Sequence, residues 1–114
     1  MILTEVLNRL TSFWLWRADH GRGAGWTSNP NKHGLIVNGN NVPLGGLFVE
    51  HTQEYQAVWN GNGGRVCFYQ SETPCDPPRQ QAWKHGEVNG YACCKVPTPS
   101  PCALVRRAHS FREV

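Results

Sequence analysis

Charge is scarce in this chain: 17% of its 114 residues are Asp, Glu, Lys or Arg, and the net charge is only +3. Basic residues are scattered until Arg106, Arg107 and Arg112, so no stripe suited to a phosphate backbone exists and nucleic acid is not an expected partner. Long apolar runs are also missing. Residues 1–15 lack a basic segment followed by an extended apolar stretch, so neither a signal peptide nor a membrane span is expected within the chain. The five cysteines, Cys67, Cys75, Cys93, Cys94 and Cys102, show neither zinc-site spacing nor a C-x-x-C redox pair. No metal or other cofactor is therefore expected, and an odd number leaves at least one thiol unpaired within the chain.

What is present points to β structure. Gly 12, Pro 8 and Trp 5 make the chain rich in turns and aromatic rings, and its length suits one domain with a modest core. A strand is expected from about residue 13, where Phe13 and Leu15 alternate with Trp14 and Trp16. Gly21, Gly23 and Gly25, followed by Ser28-Asn29-Pro30-Asn31, mark a long loop. Short β runs then recur at Leu35 to Val37, Val42 to Leu44, Leu47 to Glu50, Ala57 to Trp59 and Val66 to Gln70, each bounded by glycine or asparagine.

A weak internal repeat organises these runs. Val37-Asn38-Gly39-Asn40-Asn41 resembles Trp59-Asn60-Gly61-Asn62-Gly63 at an offset of 22 residues, and a mixed aromatic run follows each copy. A period of that size with short strands and Asn-Gly corners suits one coil of a parallel β-solenoid of three short strands per coil. Two β-hairpins with Asn-Gly turns are the competing reading. In a solenoid, Asn38 and Asn60 occupy equivalent bends and bond to each other as a ladder.

The strings Phe13-Trp14-Leu15-Trp16-Arg17-Ala18-Asp19-His20-Gly21, Gly25-Trp26-Thr27-Ser28-Asn29-Pro30, Gly34-Leu35-Ile36-Val37-Asn38-Gly39, Gly46-Leu47-Phe48-Val49-Glu50-His51 and Phe68-Tyr69-Gln70-Ser71-Glu72 carry a resemblance over about residues 12–92. They are similar to a microbial family of large secreted proteins with a pectate-lyase-like right-handed β-helix, often joined to coagulation factor 5/8 type (discoidin) modules. Some members resemble α-1,3-glucanases. The resemblance implies an all-β, right-handed parallel β-helix fragment of two to three coils with long loops, belonging to a larger secreted parent that supplies the remaining coils. It divides the chain into an N-terminal segment 1–12, the β-helix fragment 13–92, and a Pro- and Arg-containing tail 93–114 expected to be irregular.

The expected partner is a polysaccharide. Glycoside hydrolysis needs a general acid and a second carboxylate at a set separation. Of the eight Asp and Glu residues, Asp19, Glu50, Glu72 and Asp76 are the ones considered for this role, and Glu50, Glu72 and Asp19 are the catalytic candidates. Glu50 and Glu72 share the 22-residue offset, so one coil separates them if that register holds; aligning Phe48 on Phe68 instead pairs Glu50 with Gln70. Trp26, Trp16, His51 and Tyr69 are the substrate-binding candidates, because ring faces meet the apolar face of a pyranose. Trp59 and Phe68 are assigned to the core. Three readings stand: a glycoside hydrolase or polysaccharide lyase fragment, a non-catalytic carbohydrate-binding solenoid, and a truncated or frame-shifted copy without activity.

Overall fold

The computed structural model describes residues 1–4 and 10–96 and the backbone of 104–110, with the side chains at 10–11 and 104–110 left aside. Strands β1 (Ile2–Leu3), β3 (Leu35–Val37), β5 (Ala57–Trp59) and β9 (Cys94–Lys95) form one parallel four-stranded sheet in the order β1-β3-β5-β9. Strands β2 (Leu10–Trp16), β4 (Pro43–Glu50), β6 (Arg65–Glu72) and β10 (Leu104–Ser110) form a second in the order β2-β4-β6-β10. The chain thus alternates between two sheets and returns each time beside its previous pass, as a β-helix does. Each pass contributes two strands to these sheets, where three were expected. Between β6 and β9, β7 (Lys84–His85) and β8 (Val88–Asn89) make a small antiparallel ribbon after a 3-10 turn at Gln80–Ala82. Among the described residues no helix is long and apolar enough to cross a membrane.

The register decides between the sequence alternatives. Leu35 lies opposite Ala57, Leu44 opposite Val66 and Glu50 opposite Glu72, all parallel and at the 22-residue offset also seen between Asn38 and Asn60. The hairpin alternative is excluded, because the two Asn-Gly segments do not pair antiparallel. The expected runs Val42 to Leu44 and Leu47 to Glu50 merge into the single strand β4, which begins at Pro43 and leaves Val42 just outside it. In the tail, residues 97–103 and 111–114 lie outside the described residues, while the backbone at Cys94–Lys95 and Leu104–Ser110 runs as strand where irregular structure was expected.

The core lies between the sheets. Leu35, Val37, Ala57 and Trp59 face inward from one, and Leu44, Leu47, Val49, Val66 and Tyr69 from the other, with Val42 at the corner between them. Burying such a side chain contributes about 1.5–3 kcal/mol, which is the main force holding successive passes in stack. Simple alternation fails in the second sheet for a specific reason. Ser12, Gly46 and Phe68 occupy equivalent positions of β2, β4 and β6, and each has positive φ, between 63° and 68°. One left-handed residue bends each strand and resets its alternation, so Leu44 and Leu47 both point inward. Phe68, assigned to the core from sequence, is therefore 57% exposed, and its ring lies 5.4 Å from that of Phe48 on the outer face. Trp59 is buried as expected.

The corners stack as tightly as the strands. Asn60 Nδ2 donates to Asn38 Oδ1 at 2.8 Å, and the Asn62 amide donates to Asn40 Oδ1 at 2.8 Å. A Cβ on Gly61 would collide with the Gly39 carbonyl of the pass beneath, so only glycine allows this approach. Loss of the exposed amide bond in Asn60→Ala should cost about 1 kcal/mol. Gly61→Ala should cost more, about 2–3 kcal/mol, because backbone rather than a side chain must yield. Thermal denaturation of the two variants checks both the sign and the order.

Candidate active site

Residues that follow the bend of the second sheet carry the site. In β2, β4 and β6 the outward positions after the bend form two ladders, Trp14 beside Phe48 beside Gln70, and Trp16 beside Glu50 beside Glu72. They line an outer cleft of about 580 Å³ whose wall includes Gly46 and His20. Trp14 and Trp16 are 68% and 49% exposed and lie side by side, so their ring faces are open to the cleft. Glu50 and Glu72 are directly paired on adjacent parallel strands, which lie about 4.8 Å apart.

Hydrogen bonds hold each carboxylate. Trp14 Nε1 donates to Glu50 Oε2 at 2.7 Å. Glu72 accepts from Gln70 Nε2 at 2.8 Å through Oε1, and its Oε2 lies 3.2 Å from His51 Nε2. His51 follows β4 directly, and Trp16 Nε1 donates to its Nδ1 at 2.8 Å. Asp19 stands behind the cleft with no exposed side-chain surface; its Oδ1 lies 2.8 Å from His20 Nδ1 and 3.0 Å from His51 Nδ1, and its Oδ2 accepts from the Cys75 amide at 2.8 Å. Burial is the largest influence on Asp19 and opposes ionisation, but the Cys75 amide and the two histidines together outweigh it and hold the carboxyl below its usual 3.8.

Arg17, buried between these groups, acts as the loop anchor. It makes a two-pronged ion pair with Asp76 at 2.9 and 2.6 Å and donates to the carbonyls of Asn29, His51 and Gly25. The long loop after β2 and the proline-bounded loop after β6 are thereby tied to the end of β4. Such fork geometry fixes orientation as well as charge.

The structure gathers some sequence candidates and disperses others. Glu50, Glu72, Trp16 and His51 share the cleft. Asp19 reaches it through His51 and His20 and has no free face of its own. Asp76 is consumed by Arg17. Tyr69 is corrected as a sugar platform: only 4% exposed, it packs in the core and donates its hydroxyl to the Cys93 carbonyl at 2.9 Å. Trp26 is corrected as well; it is half-buried beneath the Arg17 guanidinium, 5.6 Å from its ring centre, and does not line the cleft. Arg17, Gln70 and Phe48 were missed as site residues. The 22-residue offset applied to Phe48 leads to Gln70, whereas Phe48 itself follows its neighbour Trp14 by 34 residues, a spacing that the Asn-Gly repeat does not display.

No cysteine spacing suggested a metal, yet Asp19, His51 and Cys75 bring one ligand atom each within 4.8 Å of one another. The Asp19 oxygens already face the Cys75 amide and the two histidines, and His51 Nδ1 already accepts from Trp16. We therefore read the group as an internally bonded network rather than a metal centre.

Two parallel sheets stacked pass upon pass place the chain in the pectate-lyase-like class of β-helix proteins. The chain belongs to the family of the LAM55 pectate lyase-like domain, whose family model matches residues 4–72. An exo-β-1,3-glucanase of Streptomyces sp. (strain SirexAA-E / ActE) is 48% identical over 83 residues, which is 73% of this chain and 14% of the relative. The structure of sacteLam55A from Streptomyces sp. SirexAA-E matches with a TM-score of 0.80 at 41% identity, over 86% of this chain and 18% of that one. A variant of that protein in complex with glucose matches at 0.77 and 41% identity, over 83% and 17%. This chain therefore spans less than a fifth of the length of these relatives.

The lowered Asp19 value gives an acid-stability prediction. A carboxyl depressed on folding adds stability that is complete above its ordinary value of 3.8 and is lost as pH falls through the folded value. Asp19→Asn should weaken the fold at neutral pH by about 1–3 kcal/mol and show a shallower further loss below pH 4 than the parent chain. Urea titrations at several pH values measure both effects, and parallel curves for the two proteins would contradict the assignment.

Proposed function

We propose that this segment supplies the carboxylate pair and part of the sugar-binding cleft of a secreted glycoside hydrolase directed at β-1,3-glucan. The observation that carries the proposal is the direct pairing of Glu50 with Glu72 on one outer face, beneath exposed Trp14 and Trp16. Hydrolysis of a glycosidic bond needs one carboxyl group to protonate the leaving oxygen and another to act on the opposite side of the anomeric carbon. Two neighbouring rungs of a parallel sheet provide two such groups on a rigid support. The relative named an exo-β-1,3-glucanase directs the linkage toward β-1,3 rather than the α-1,3 bonds suggested by the family resemblance.

Binding without hydrolysis is the second reading, favoured by the exposure of Trp14 and Trp16. The two readings separate in the full-length protein that carries this segment. Glu50→Gln and Glu72→Gln should each lower β-1,3-glucan hydrolysis by at least about 10²-fold while leaving glucan retention intact. The variant that lacks the general acid should recover on a substrate with an activated leaving group, which assigns the two roles. Undiminished hydrolysis in both variants removes the carboxylate assignment; retention of glucan by an unmutated protein that never cleaves it establishes the binding reading.

A further inference from the structure

His51 is placed more deliberately than a lone histidine at a strand end requires. Its φ of +62° lies in the left-handed region, which is uncommon for a residue with a Cβ, histidine being among the less disfavoured. Both main-chain groups are pinned: its amide donates to the Glu72 carbonyl at 3.0 Å, and its carbonyl accepts from Arg17 Nη1 at 3.1 Å. The ring, 9% exposed, is aimed between Trp16 and Glu72.

The proton positions follow from what each partner is able to do. An indole N–H only donates, so the bond from Trp16 Nε1 requires a bare lone pair on His51 Nδ1. A neutral imidazole then carries its hydrogen on Nε2, which points to Glu72 Oε2. Asp19 Oδ1 lies 3.0 Å from the same Nδ1 and competes for it, but only one demand can be met. Moving the hydrogen to Nδ1 would gain one bond to Asp19. It would break the bond from Trp16 and turn a lone pair toward Glu72. Asp19 has less need of that hydrogen, because the Cys75 amide and His20 already face its oxygens.

We propose that His51 is a positioning residue that orients Glu72 through an Nε2–H bond, and that the Trp16 indole N–H is the lock that keeps His51 in this tautomer. The inference rests on the proposed role of Glu72 and deepens it. Trp16 then has two functions: its exposed face is available to a sugar, and its edge sets the hydrogen of the histidine behind it. A sugar that displaced the indole would release Nδ1 to Asp19 and loosen Glu72, so the cleft favours ligands that stack without pushing Trp16 aside. The titratable and charged groups facing the His51 ring are Asp19, Glu72, His20 and Cys75, with Glu50 adjacent in the cleft and Arg17 on the main chain.

Nitrogen-15 NMR of the histidine side chains tests the lock independently of catalysis. In the unmutated protein His51 should show a protonated Nε2 and an unprotonated Nδ1. Trp16→Phe keeps a ring and removes the donor; the hydrogen should move wholly or partly to Nδ1. In glucan hydrolysis the same variant should lose about tenfold in kcat with KM within about twofold, and its pH profile should shift. An Nδ1–H tautomer in the unmutated protein, or an unchanged tautomer in Trp16→Phe, overturns the proposal. The expected tautomers in a protein that hydrolyses no glucan would uphold the lock and dismiss the role assigned to Glu72.

Discussion

Parallel stacking at a constant 22-residue offset is the constraint on which the best-described part of this structure depends. It puts Leu35 on Ala57, Val37 on Trp59 and Leu44 on Val66. The same offset puts Asn38 under Asn60 and Gly39 under Gly61 at the corner. Hydrophobic burial holds the passes together without choosing among registers finely, since many apolar residues are interchangeable by area alone. The corners supply the choice, because a slip of even one residue would put a side chain where only glycine fits. A one-residue slip would also exchange the inner and outer faces.

That register converts sequence spacing into chemistry. Glu50 and Glu72 are neighbours because the corners align, and the bend at Ser12, Gly46 and Phe68 turns Trp14, Phe48 and Gln70 toward the same cleft. Around them, polar groups that would be expensive to bury singly satisfy one another. Arg17 answers Asp76 and three carbonyls, while Asp19 answers the Cys75 amide and faces two histidines. The site therefore has a rigid front formed by strands and a polar back formed by loops. Movement of either loop would be felt at His51, which touches both through Asp19 and Arg17.

Much of the front was legible beforehand. The repeat is visible in the Asn-Gly copies as a property of linear spacing, whereas stacking rather than hairpins, and Glu50 on Glu72 rather than on Gln70, were decided by the strand pairing. Two of the errors share one cause. Assigning Phe68 to the core and Tyr69 to the surface presumes a choice of face that is reversed in the actual strand. The left-handed residue that resets the faces is a glycine in β4, but a serine and a phenylalanine in its neighbours, so no common residue type announces it. Trp26 failed for another reason: a glycine-rich loop suggests exposure, but Arg17 packs over its ring.

The sequence alone determined the β class and offered the 22-residue offset and the two carboxylates as candidates, because these depend on residue type and spacing along the chain. Only the tertiary structure decided which aromatics face the cleft, that Asp76 belongs to Arg17, and that Asp19, His51 and Cys75 meet. Those outcomes depend on how loops separated by tens of residues cross in space and on a backbone bend shared by three neighbouring strands. Neither leaves a periodic trace in the order of residues.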